Sequence, residues 1–157
     1  MGVVEVYRLA RRGEELARLR RVLALRAMTA EGMTQKEIAS ELGISQPAVS
    51  QQFTASPKLV DVHPEELLKA AAPVLAAVAD AHGYTRLAAF GSVARGEARR
   101  DSDIDLVVEA PNGTSTFAFI RFRQLIERVL GREVDLISYA GLKPRIDDDI
   151  RREAVLL

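Results

Sequence analysis

Apolar residues fall into two rhythms along the chain, a helical one at both ends and an alternating one between. From Leu16 onward, Leu16, Leu19, Leu23 and Ala27 recur at i, i+3, i+7 and i+11 with arginines between them, which predicts an amphipathic helix closed by Gly32. Upstream the pattern leaves two readings open: Val3, Val4 and Val6 suggest a short strand, whereas Tyr7–Arg12 equally suits the start of a basic helix. Thr34 with Glu37 three residues later is a capping box. It opens a short helix whose buried face is Ile38 and Leu42, and Gly43 ends it. Ser45 caps the next helix, which tolerates Pro47 in its first turn. Ala39 is small where the two helices meet, and Ile44, Val49 and Phe53 are expected beneath them.

Ala55–Val62, with Pro57, reads as a linker. Pro64-Glu65-Glu66 starts a helix, and Pro73 is expected to divide it into segments 64–71 and 73–82 before His82-Gly83. His82 and His63 have no companions at metal-ligand spacing, so both read as surface or structural residues. Strands follow at Arg86–Phe90 and Asp103–Glu109, then a Pro111-Asn112-Gly113 turn and a helix capped by Ser115 or Thr116. Ala118, Phe122, Leu125, Ile126 and Val129 share one side of that helix, and Gly131 stops it. Glu133–Ile137 returns as a strand. A last helix is expected after Pro144, with Ile146, Ile150, Ala154 and Leu157 inward. Asp147, Asp148 and Asp149 point in different directions on such a helix and favour its start, a structural role.

Chemistry concentrates in Gly91–Glu109. Side chains alternate along a strand, so Asp103 and Asp105 point one way while Ile104, Leu106 and Val108 point into a core. Two carboxylates held side by side repel unless a cation lies between them, and hard oxygen ligands of this kind suit Mg²⁺. Gly91 permits close backbone approach, and the amides of the following helical turn can receive an anion such as phosphate. Arg95, Arg99 and Arg100 read as solvated surface charges.

Composition narrows the picture modestly. Forty-eight percent hydrophobic and 28% charged residues in 157 suit one or two small globular domains. The absence of Cys excludes disulfides, thiolate metal sites and a cysteine nucleophile. No long apolar segment or signal-peptide pattern is present, so a cytoplasmic protein with no membrane partner is expected. The net charge of zero divides unevenly: residues 1–58 hold nine Lys/Arg against six Asp/Glu, and residues 59–157 thirteen against sixteen. A DNA-facing module joined to a metal-binding one agrees with that split.

The run Phe90-Gly91-Ser92-Val93-Ala94-Arg95-Gly96, followed by Ser102-Asp103-Ile104-Asp105-Leu106-Val107-Val108, resembles the minimal nucleotidyltransferases of the polymerase-beta-like superfamily. In that family a helix ending Leu-Gly leads into Val-Asp-Leu, whose Asp is the third acid. Here these are Leu130-Gly131 and Val134-Asp135-Leu136, with Glu133 as a rival on the same face. The family also commonly closes with a helix ending Glu-Ala-Val, matched by Glu153-Ala154-Val155. Residues 34–53 resemble the helix-turn-helix of bacterial repressors, which places the second helix in the major groove and exposes Ser45, Gln46, Ser50 and Gln51 to DNA. Arg18, Arg20, Arg21, Arg26 and Lys36 are then candidates for phosphate contacts.

Together the resemblances imply an α/β (α+β) chain: an all-α helix-turn-helix domain at 1–56, a linker at 57–63, and at 64–157 a minimal nucleotidyltransferase domain with a mixed sheet flanked by helices. They imply an enzyme in which Asp103, Asp105 and Asp135 are catalytic and hold Mg²⁺, while Gly91 and Ser92 bind the nucleotide. Minimal nucleotidyltransferases resemble the antitoxins of toxin–antitoxin pairs. The implied activity is transfer of AMP from ATP to a tyrosine hydroxyl of a separate, small helical ribonuclease-like toxin. Operator DNA would be a second partner, for autoregulation, and a homodimer is expected of a helix-turn-helix. The alternative is a transcriptional regulator whose nucleotidyltransferase-like part senses nucleotide without turnover. Modification of an aminoglycoside fits less well, since little chain follows the acidic strands to build a small-molecule pocket.

Overall fold

The computed structural model describes residues 1–144 and 147–157. Helix α1 (Val3–Ala30) is continuous from the third residue, so the strand reading of Val3, Val4 and Val6 is corrected. Those valines stand exposed, with no strand beside them to pair with, and the helix nucleated downstream simply extends through them. Helices α2 (Gln35–Leu42) and α3 (Gln46–Ala55) follow, with the Thr34–Glu37 capping box formed and Gly43 left-handed at φ 68° between them. Ile38, Ala39 and Val49 close a small core against Leu25, with Met28, Met33 and Phe53 packed around it. Leu42 and Ile44 lie outside that core, 45% and 39% exposed, contrary to expectation. The small core against α1 is made by Ile38, Ala39 and Val49 with Met28, Met33 and Phe53 around them, and Leu42 and Ile44 take no part in it.

After a 3₁₀ turn at Leu59–Asp61 comes α4 (Pro64–Ala81), a single helix that runs through Pro73. The expected break does not occur. Proline removes the N–H that would serve the carbonyl four residues back, at Lys69. Arg20 of α1 supplies the missing donor, with Nη2 3.1 Å from the Lys69 carbonyl oxygen and Nε 2.9 Å from that of Ala70. Arg26 acts similarly at the end of α6 (Thr116–Leu130), donating to the carbonyls of Val129 at 2.9 Å and Arg128 at 2.7 Å. His82 joins Glu31 at 2.8 Å, so the far ends of α1 and α4 are also tied.

Four strands form a mixed sheet: β1 (Thr85–Phe90), β2 (Ile104–Glu109), β3 (Val134–Ser138) and β4 (Val155–Leu156), in the order β3-β2-β1-β4. β1 runs antiparallel to β2 and β4, and β2 parallel to β3. One face, with Leu87, Ala89, Ile104, Leu106, Val108, Val134 and Leu136, packs in a core with α4 and α6. Leu23 and Ala27 of α1 and Leu59 of the linker belong to that same core. The opposite face buries Ala88 and Val107 under Leu142, with Ile150 and Ala154 against them.

The chain's end differs from the expected helix. Only Asp148–Glu153 is helical (α7), and Val155 and Leu156 then pair with Ala89 and Ala88 on β1's otherwise free edge. Backbone hydrogen bonding along that edge outweighs continuation of a short helix. Leu157 still packs on the main core, whereas Ile146 lies outside the described residues.

Candidate active site

Asp105 sits on the central strand pair, opposite Phe90 of β1 and Asp135 of β3. Residues paired in register share a face, so Asp105 and Asp135 project from the sheet together. It is the face away from the α4–α6 core, since Ile104, Leu106, Val134 and Leu136 occupy that one. Asp103 precedes β2 by one residue and is exposed, as is Asp135, while Asp105 is half-buried. Glu133 lies just before β3, exposed and outside the ladder.

Gly91 opens α5 (Gly91–Arg95), a single turn immediately after β1, and has φ +70°. A side chain here would be strained by that backbone and would also strike the carboxylate of Asp105. Glycine therefore does two things at one position: it turns the chain and lets the backbone lie against the acid. Ser92 comes next, its carbonyl accepting from the amide of Glu97 at 2.9 Å, while its hydroxyl has no hydrogen-bond partner among the described residues. Gly96 ends the turn in the left-handed region.

The electrostatics carry the clearest signal. The Asp105 carboxyl is pushed up from its ordinary range, first by burial, then by the charges of Asp135 and Asp103, with Arg95 opposing weakly. Arg95 is already shared between Glu97 and Glu153, each at 3.1 Å. Two neighbouring carboxylates thus act on Asp105, and among the described residues no ion pair ties any of the three acids to a side-chain cation. Among the described residues no three His, Asp or Glu side chains converge tightly enough to form a ready-made metal cage. All-oxygen donors that repel one another fit a hard divalent cation, whose charge would remove the repulsion. Beside Asp103 a cleft of about 420 Å³ opens, with both acids (Asp61, Asp101, Glu133) and arginines (Arg100, Arg132) on its walls.

The residues expected to face DNA lie elsewhere. Gln46, Ser50 and Gln51 are exposed on α3, and Ser45 is exposed at its cap, where its hydroxyl accepts from the Ala48 amide at 3.2 Å. Of the arginines considered for phosphate, Arg20 and Arg26 are engaged by carbonyls of α4 and α6, while Arg18, Arg21 and Lys36 remain exposed. Sequence reasoning passed over Arg20 and Arg26 as structural residues, and it missed Arg132 and His63 as ties to the loop before Asp103. Their acceptors are backbone carbonyls 30 to 103 residues away, and no local pattern announces them. No helix among the described residues is long and apolar enough to cross a membrane.

Comparison with known proteins agrees with this geometry. Residues 17–54 match sigma-70 region 4, over the helix-turn-helix. A protein adenylyltransferase of Thermococcus cleftensis is 38% identical over 73 residues, 46% of this chain and 74% of the relative. A Methanocaldococcus jannaschii protein, named as a candidate protein adenylyltransferase, is 43% identical over 74 residues, 47% of this chain and 80% of its own. A solved structure described as a candidate minimal nucleotidyltransferase superposes with a TM-score of 0.54 at 41% identity, covering 59% of this chain and 95% of the other. Residues 74–157, which hold the turn at Gly91 and all three acids, match the nucleotidyltransferase domain, and the chain belongs to that family.

Proposed function

We propose that this nucleotidyltransferase moves the adenylyl group of ATP onto a tyrosine hydroxyl of a separate partner protein, a small helical toxin, in the cytoplasm. The observation that carries the reading is the register of Asp105 against Asp135, with Gly91 pressed on the Asp105 carboxylate. The names of the relatives as protein adenylyltransferases support a protein acceptor.

Asp103, Asp105 and Asp135 are the residues that would hold Mg²⁺. A divalent ion held there would supply charge neutralisation for the triphosphate and the departing pyrophosphate and would lower the pKa of the acceptor hydroxyl. The chain's own part begins with Gly91, which brings the backbone of the turn against the acids. Ser92 offers its hydroxyl to the triphosphate. Asp135, exposed at the mouth, takes the acceptor's proton on a carboxylate oxygen. The acceptor oxygen bonds to the α-phosphorus, the bond from that phosphorus to the bridging oxygen breaks, and pyrophosphate leaves.

The helix-turn-helix binds operator DNA in this reading, as a homodimer, with Gln46 and Gln51 toward adenine edges and Ser45 and Ser50 toward bases or phosphates. Autoregulation of the pair follows. The test is pyrophosphate release from ATP and Mg²⁺, with and without the product of the adjacent gene, and mass spectrometry of that product. Release that depends on the partner, with an added AMP on tyrosine, supports the proposal. Nucleotide-dependent operator affinity without release would replace it with a sensor.

A further inference from the structure

The three acids are not held equally. Asp105 and Asp135 are members of the β2–β3 ladder, which begins at Ile104 paired with Val134. Asp103 lies one residue outside it, at the end of a loop that runs from Gly96. A ligand carried on an unpaired loop residue has its position set by whatever grips that loop.

Arg132 supplies the grip. It stands two residues before the ladder on the neighbouring segment, and its guanidinium reaches back across the gap. Nη2 donates to the Arg100 carbonyl at 2.9 Å and to the Ser102 carbonyl at 3.1 Å, while Nη1 donates to the Val62 carbonyl at 3.0 Å. None of its donors goes to a carboxylate within ion-pair distance. One planar fork therefore fastens three pieces of backbone: the loop just before Asp103, the start of the Asp135 strand, and the linker from the helix-turn-helix. A lysine carries all its donors on one nitrogen and lacks the planar fork that does this. The loop is further tightened by the Arg99 amide on the Ser102 hydroxyl at 2.6 Å, and by His63, whose Nε2 meets the Ala98 carbonyl at 3.0 Å.

We infer that Arg132 is a positioning residue for the candidate site, extending the β2–β3 pairing by one side chain so that Asp103 is held where it shares a cation with Asp105 and Asp135. The inference rests on the assignment of those acids as the metal site, and it adds a residue that acts on Asp103 through the backbone of its loop.

The experiment measures Mn²⁺ binding to the full-length chain by electron paramagnetic resonance, without nucleotide, for the native protein, Arg132→Lys and Arg132→Gln. The same two changes are repeated in an Asp103→Asn background, with Asp105→Asn as the control for the site. Loss of such outer supports commonly weakens metal affinity about tenfold or more. Both Arg132 variants are expected to bind Mn²⁺ about tenfold more weakly and to need correspondingly more Mg²⁺ for half-maximal transfer, with maximal transfer at saturating Mg²⁺ restored to near the native rate. In the Asp103→Asn background the same variants are expected to change nothing further, since their effect passes through Asp103. Native Mn²⁺ affinity in both variants overturns the inference, as does an equal loss in the two backgrounds. Mn²⁺ binding that Asp105→Asn leaves unchanged removes the acids from the metal site, and Arg132's role goes with them. Because Lys keeps the charge and most of the bulk, a melting curve for Arg132→Lys separates loss of grip from loss of fold.

Discussion

The helix-turn-helix and the acidic sheet edge show two ways of placing polar residues. On α3, Gln46, Ser50 and Gln51 are uncharged and exposed, on a helix whose cap and turn are locally satisfied. Nothing about folding is sacrificed to put them there. At the acidic end of the sheet, Asp105 is half-buried with its proton affinity raised by burial and by Asp135 and Asp103, beside a glycine held at positive φ. The first surface is ready to be read by a partner. The second sets like charges beside a half-buried acid, the kind of perturbed titration that clusters at functional sites. Changes in the head should therefore cost binding and spare stability. Changes at the edge should cost chemistry and, for the acids, relieve strain.

The largest effect separates chemistry from folding outright. Asp103→Asn and Asp105→Asn are each expected to lower pyrophosphate release at least about a hundredfold, with an unchanged far-UV circular dichroism spectrum. Native turnover in both variants would remove these residues from the reaction. Gly91→Ala breaks the edge from the backbone side. It is expected to lose about 1–3 kcal/mol in urea unfolding and to lose most transfer, because the new methyl group displaces the Asp105 carboxylate.

In the head, Gln46→Ala or Gln51→Ala should weaken specific operator binding by about 1–3 kcal/mol, while leaving melting temperature and transfer as they were. A fall in transfer would mean that the two surfaces are not separate. Arg20→Gln probes the helix that they share. Losing the donors to the Lys69 and Ala70 carbonyls should destabilise the fold by about 1–3 kcal/mol, measured by urea unfolding, and a change confined to DNA affinity would contradict its structural role.

The smallest effect is a stability difference with a definite sign. Asp105's folded pKa is raised, so the folded state holds its proton more tightly than the unfolded state does. Stability therefore falls as pH rises from the ordinary carboxylate range through the raised value. Without divalent ions, Asp105→Asn should melt slightly above the native protein at neutral pH. That advantage should vanish below the ordinary carboxylate range, where Asp105 is protonated in both states. A lower melting temperature for Asp105→Asn at neutral pH would contradict the sign.

Local chemistry explains what could be read in advance. The Thr34–Glu37 box, the Ser45 and Ser115 caps, and the stops at Gly43 and Gly131 involve residues within four positions of each other, and all formed as expected. The alternation that turned Ile104, Leu106 and Val108 inward likewise needs only the strand's own period, and it gave the side of the sheet on which Asp105 stands. Pro73 misled because a break is the local consequence of a missing N–H, and the remedy, Arg20, lies fifty residues before the Ala70 carbonyl that it also serves. Val155 and Leu156 misled because a strand of two residues exists only where another strand offers its edge.

By itself, then, the sequence determined the periods, the caps, the turn glycines and the identity of the acids, since each of these is set by covalent geometry within a few residues. Tertiary structure alone decided that Asp105 meets Asp135 in register, that α1 packs into the core of the sheet, and that Arg132 reaches the loop before Asp103. A guanidinium or a strand edge takes any carbonyl that arrives within hydrogen-bond range. Which carbonyl arrives is fixed by the packing of the whole chain rather than by the neighbours of the residue that receives it.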